Sequence, residues 1–208
     1  MSNYQLNIAF DHAGLAAITQ ADQSVTIVKQ TSAGGKPVAW ISFKPQQQNI
    51  ITWTEQYAVY CSTTNIQSGA QIFTSSTANA VGGSSYTINS SGDFNSGVSG
   101  ATDANTYEII NQDPLLMVNG IEMVTAGLVQ AATVGGSPIT APMCATPILY
   151  NQSGFFTPIE TIQVFTSYYS NNGMVISSVA GNALTVEYTT NTTASIKYND
   201  QTNTFIEA

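Results

Sequence analysis

Residues 4–10 read Tyr-Gln-Leu-Asn-Ile-Ala-Phe, and this two-residue period governs what the chain can become. Successive side chains of a strand point to opposite faces, so Tyr4, Leu6, Ile8 and Phe10 fall on one face. Comparable runs follow at Val38–Phe43, Ile50–Trp53 and Tyr57–Cys61, whose β-branched and aromatic residues suit a half-buried pleated surface. Further short runs fall at Gln71–Thr74, Tyr86–Ile88, Tyr107–Ile110, Pro147–Tyr150, Thr161–Ser167, Met174–Ser178, Leu184–Tyr188, Ser195–Tyr198 and Thr204–Ile206. Between them lie Gly, Asn, Ser and Pro, as in Gly34-Gly35-Lys36-Pro37, which turn the chain. Short strands at close spacing predict an all-β fold of the antiparallel sandwich type. One helix is expected, at His12–Thr19 behind Asp11 as its N-cap.

Segment 89–105, Asn-Ser-Ser-Gly-Asp-Phe-Asn-Ser-Gly-Val-Ser-Gly-Ala-Thr-Asp-Ala-Asn, is poor in large apolar residues and reads as a surface loop or linker. It divides a first β unit, 1–88, from a second, 106–208, and the two can also form one joint domain. Three blocks recur in order across this divide: Ala13–Leu15 with Ala126–Leu128, Ile50–Ser62 with Phe155–Ser167, and Gly69–Ile72 with Gly173–Ile176. They predict an internal duplication with pseudo-two-fold packing; the alternative is convergent β composition.

Charge narrows the function classes. Only 8% of residues are charged, and Ser, Thr, Asn and Gln make up 79 of 208. Four lysines, no arginine and twelve carboxylates give a net charge of −8. A nucleic-acid reader needs a clustered basic face, and a polybasic lipid anchor needs the same. Neither can be built from Lys29, Lys36, Lys44 and Lys197. Cys61 and Cys144 read as buried free thiols, with one long-range disulfide as the alternative. The opening residues lack a basic region followed by an apolar run, and no apolar stretch is long enough for a membrane helix. Synthesis as a soluble cytoplasmic protein is expected, with lysis or a leaderless route for any release.

Catalytic inventory is thin. His12 is the one histidine, and no Gly-x-Ser-x-Gly, Cys-x-x-Cys, His-Glu-x-x-His or phosphate-loop motif occurs. Asp93 and Asp103 lack the spacing of a calcium loop. No metal and no cofactor is expected. Paired carboxylates are the one enzymatic option left, with Glu55 and Glu160 as the natural pair if the halves are related. The expectation is a non-enzyme.

Binding chemistry is better supplied. Aromatic faces beside amides can stack on sugars and hydrogen-bond their hydroxyls. Tyr168-Tyr169-Ser170-Asn171-Asn172 is the sharpest cluster, with one tyrosine expected to face outward and the other inward. Trp53 with Gln48 forms a second group. The reading is a surface-recognition protein for glycans or membrane headgroups, in a lectin-like, cytolysin-like or other defence role, acting as a homo-oligomer. The alternative is a self-assembling structural protein forming fibres, tubes or inclusions, since strand edges here carry few blunting charges.

Overall fold

The computed structural model describes residues 2–32 and 35–208. Nineteen strands and one nine-residue helix make up its regular structure. The first half supplies β1 (Asn3–Ala9), α1 (His12–Gln20), β2 (Ser24–Thr31), β3 (Lys36–Ala39), β4 (Ile41–Phe43), β5 (Gln48–Ser62), β6 (Ser76–Ala80) and β7 (Ser84–Ile88). Next come β8 (Val98–Ser99), β9 (Tyr107–Asn111), β10 (Met117–Val118), β11 (Ile121–Val134), β12 (Ser137–Pro142) and β13 (Cys144–Leu149). The chain closes with β14 (Ser153–Phe156), β15 (Pro158–Ser167), β16 (Met174–Val175), β17 (Leu184–Glu187), β18 (Thr193–Asn199) and β19 (Thr204–Glu207).

The largest sheet runs β16-β3-β13-β11-β5-β1-β18-β19, with β6, β10 and β12 pairing on to its two long strands, β5 and β11. A second sheet runs β17-β15-β2-β4 and a third β14-β9-β7-β8. Pairing is antiparallel except for β1 with β18 and β7 with β9. Each sheet draws strands from both sides of the 89–105 segment. The segment itself is partly ordered: β8 pairs with β7, and Phe94 bridges to Ile88.

The alternation at the N-terminus holds. Tyr4, Leu6, Ile8 and Phe10 are buried and join a core with Ile51 and Trp53 of β5, Val25 and Ile27 of β2, and Ile109 and Phe156 of the third sheet. That core is what presses the three sheets together, at about 1.5–3 kcal/mol for each large apolar side chain fully buried. Asp11 caps α1, its Oδ1 accepting from the Gly14 N–H at 2.7 Å, a contact typically worth about 1 kcal/mol. Cys61 and Cys144 are free and buried.

The three-block equivalence does not carry through. Ala13–Leu15 is helical whereas Ala126–Leu128 lies inside β11. Ile50–Ser62 belongs to the largest sheet, and Phe155–Ser167 spans the end of β14 and all of β15, in the other two. Gly69–Ile72 and Gly173–Ile176 lie against each other, Gln71 bridging Met174. A local likeness does exist. β5 against β11 and β15 against β2 are both antiparallel ladders with a register shift, between Gln130 and Ala132 in one and between Ile159 and Ile162 in the other. Each shift adjoins a glutamate.

Candidate functional site

Those two irregularities build the site. β5 pairs with β1 as far as Thr54 and with β6 from Tyr57 onward, so Glu55 and Gln56 lie where its edge changes neighbour. Glu55 is thereby exposed, and its carboxylate turns to the N-terminal strand. The Tyr4 hydroxyl donates to Glu55 Oε1 at 2.6 Å and the Ser2 N–H reaches Oε2 at 3.5 Å. The Tyr4 hydrogen bond holds the Glu55 carboxyl below its ordinary range. Burial, and then the same bond, pushes the Tyr4 phenol up to about 12.

On β15 the register shift leaves Glu160 and Thr161 outside the ladder with β2 and turns Glu160 inward. Its carboxylate accepts from Tyr57 Oη at 2.5 Å, from Trp53 Nε1 at 3.3 Å and from Lys29 Nζ at 2.9 Å. The lysine side chain is fully buried. Its ammonium lies 5.3 Å from the Trp40 ring centroid, 5.4 Å from Trp53 and 5.8 Å from Tyr57, within cation–π range of all three. Burial pulls Lys29 below its usual value against the opposing pull of Glu160. Burial likewise raises the Tyr57 phenol, with the Glu160 charge adding to it.

The two glutamates meet at one cleft of about 420 Å³, lined also by Tyr57, Asn105, Tyr107 and Pro158. Beyond Tyr107 it continues past Asn79 and Val81, both exposed. Tyr107 is held by an edge-on contact with Tyr57 at 5.7 Å. The cleft therefore offers an ionised acceptor at Glu55, two amides and a fixed phenol. Glu160 forms its inner wall with its oxygens already engaged by three donors.

The sequence-predicted residues are scattered. Tyr168 is 74% exposed. Tyr169 packs against Val28, Ala39, Phe165 and Ile176, so one tyrosine faces outward and its neighbour inward. Asn171 is exposed, whereas Asn172 accepts from the Ser42 N–H at 2.7 Å and through its carbonyl from Gln71 Nε2 at 2.6 Å. These contacts tie the 168–172 segment to β4 and to the loop before β6. Trp53 is 3% exposed, its ring stacked on Tyr4 and met edge-on by Trp40 and Tyr188. Gln48 is exposed at the far start of β5, opposite Ala9. Sequence reasoning paired Glu55 with Glu160 but missed Lys29, Asn105 and Tyr107. The signal for Lys29 was a single charge inside the apolar run of β2.

His12 is exposed at the first turn of α1. Among the described residues no group of three or more His, Cys, Asp or Glu side chains is placed to hold a metal ion, and no helix is long and apolar enough to cross a membrane. Comparison of the chain with family models, curated proteins and solved structures returns no match.

Proposed function

We propose that this chain is a glycan-binding protein whose ligand enters the cleft at Glu55, and that it acts by recognition rather than by bond cleavage. The observation that carries the reading is the Glu55 carboxylate, ionised and exposed beside Asn105, Asn79 and Tyr107. An ionised carboxylate takes hydrogen bonds from sugar hydroxyls, the amides both donate and accept, and a ring edge gives apolar contact. Neutral glycans fit best. The cleft carries two carboxylates, the lysine behind its wall is buried against Glu160, and the whole chain carries −8, so sialylated glycans and anionic headgroups are repelled.

Two features favour recognition over hydrolysis. A glycosidase needs one carboxyl kept protonated to donate to the leaving oxygen. Glu55 is held ionised, and the Glu160 oxygens are already taken by the Lys29 ammonium, the Tyr57 phenol and the Trp53 indole N–H, so neither carboxyl is placed to donate to a leaving oxygen. A lectin-like role at a target surface follows from this chemistry.

The test is a parallel screen of the full chain against neutral glycans, sialylated glycans and anionic liposomes. Saturable binding to a neutral glycan, lost in Asn105→Ala and kept in Tyr168→Ala, supports the reading. Binding that needs Tyr168 instead moves the site to the 168–172 segment. Turnover of the bound glycan makes the protein a hydrolase. Ordered polymers with no glycan binding favour the structural alternative.

A further inference from the structure

Lys29 continues the inward face of β2 after Val25 and Ile27. Gln130 continues the inward face of β11 after Ala126 and Leu128. The strands belong to different sheets, and the two side chains meet between them. Lys29 Nζ lies 3.0 Å from Gln130 Oε1 and 2.9 Å from Glu160 Oε2. Gln130 Nε2 donates to the Thr54 carbonyl at 2.7 Å, which fixes the carbonyl end of the amide toward the lysine. Gln130 is 1% exposed, and Trp40, Trp53 and Tyr57 wall the site.

This is a complete set for acyl transfer to an amine. It holds a nucleophile, an amide carbonyl with a displaceable nitrogen, and a carboxylate touching the nucleophile. Confinement of reacting groups replaces an encounter from solution, and effective molarities for such arrangements reach about 10⁵–10⁸ M. Burial makes the Lys29 ammonium costly although Glu160 opposes the effect, and the carboxylate in contact at 2.9 Å is the group to which a proton can pass.

We propose that Lys29 and Gln130 become joined by an isopeptide bond formed within the folded chain, with Glu160 as the proton carrier. Glu160 takes one proton from Nζ. The neutral amine attacks Gln130 Cδ: a carbon–nitrogen bond forms as the carbonyl π pair moves on to Oε1, and that pair re-forms the carbonyl when the leaving nitrogen departs. Glu160 delivers its proton to Nε2 and takes a second from the former amine. The Cδ–Nε2 bond breaks and ammonia leaves. The third ammonium proton stays on the lysine nitrogen as the amide N–H, and Glu160 releases its proton to solvent. Nothing is oxidised or reduced, and no further reactant is needed. The bond ties the largest sheet to the second sheet between residues far apart in the chain, in a protein whose cysteines are unpaired. It does not depend on any ligand at Glu55.

The test is the intact mass of the denatured full-length protein, followed by digestion with a protease of broad specificity and fragment sequencing. The expected mass is one ammonia below that of the linear chain, with Lys29 and Gln130 peptides recovered as one branched species. Lys29→Met and Glu160→Gln each restore the linear mass. A wild-type chain of unmodified mass overturns the proposal, whatever the variants do. So does an ammonia loss that maps to a succinimide at Asn119-Gly120 or Asn172-Gly173. Loss of water instead places the bond between Lys29 and Glu160 and overturns the assignment of Gln130.

Discussion

Lys29 and Glu160 meet at 2.9 Å, the lysine side chain fully buried and the carboxylate 16% exposed. Neither charge stands alone, because Gln130 completes the lysine and Tyr57 and Trp53 complete the glutamate. The pair sits where β2 of one sheet faces β5 and β11 of another, directly behind the cleft wall. Its geometry therefore bears on both the stability of the fold and the shape of the site.

Lys29→Met should destabilise the fold by about 3–5 kcal/mol, since it leaves the Glu160 carboxylate without its partner and also removes the proposed link to Gln130. Adding Glu160→Gln to Lys29→Met should cost little more, since the second change removes a charge already stranded. Urea unfolding of the two single variants and the double variant measures this. Additive losses would contradict it.

Ligand binding should persist as pH falls through the ordinary carboxylate range and fail only below it. The Tyr4 hydroxyl depresses the Glu55 value in the folded state, while the unfolded chain titrates at its usual value. Stability from this contact is thus present above the unfolded value and lost as pH falls through the lower folded one. Tyr4→Phe keeps the stacked ring and removes the hydroxyl, so the binding midpoint should move upward. An unmoved midpoint would show that Tyr4 does not set the charge of Glu55.

Several one-sided strands were legible from the residues. β1 alternates because one face meets the core, and Asp11 with His12–Gln20 follows the capping rule directly. Two central strands, β2 and β11, were not. β2 is buried along Ser24–Lys29 and β11 along Val124–Gln130, on both faces, so neither shows a period of two. β11 is further disguised by its small residues, Thr125, Ala126 and Gly127, which pack where larger ones cannot. The site inherits this blindness, because Lys29 and Gln130 lie on those two strands. Trp53 misled for a related reason: an aromatic next to polar residues reads the same whether its ring faces solvent or Tyr4.

Gly127 is a steric requirement of that central strand. A Cβ there would lie 2.4 Å from the Cys144 carbonyl oxygen and 3.0 Å from Tyr60 Cε1. Both neighbours are fixed, Tyr60 by its own hydrogen bond to the Cys144 carbonyl at 2.8 Å. Gly127→Ala should therefore cost about 1–3 kcal/mol, the range for overpacking a well-filled core. A thermal or urea midpoint equal to wild type would contradict the close approach.

Both cysteines should resist alkylation in the native state. Burial pushes each thiol up to about 11, so little thiolate exists at mildly alkaline pH, and neither sulfur is reachable. Mass spectrometry after iodoacetamide treatment should show no label on folded protein and two labels after denaturation. Rapid native labelling of either cysteine would contradict its placement in the core.

Calorimetric titration of a neutral glycan selected in the screen, into wild type and Glu55→Ala, tests recognition at the cleft most directly. Loss of a central polar contact at a recognition site costs about 2 kcal/mol or more, so affinity should fall at least about thirtyfold, with the unfolding midpoint lowered only by the lost Tyr4 hydrogen bond. Equal affinity in the two proteins would remove Glu55 from the binding site and, with it, glycan recognition at this cleft.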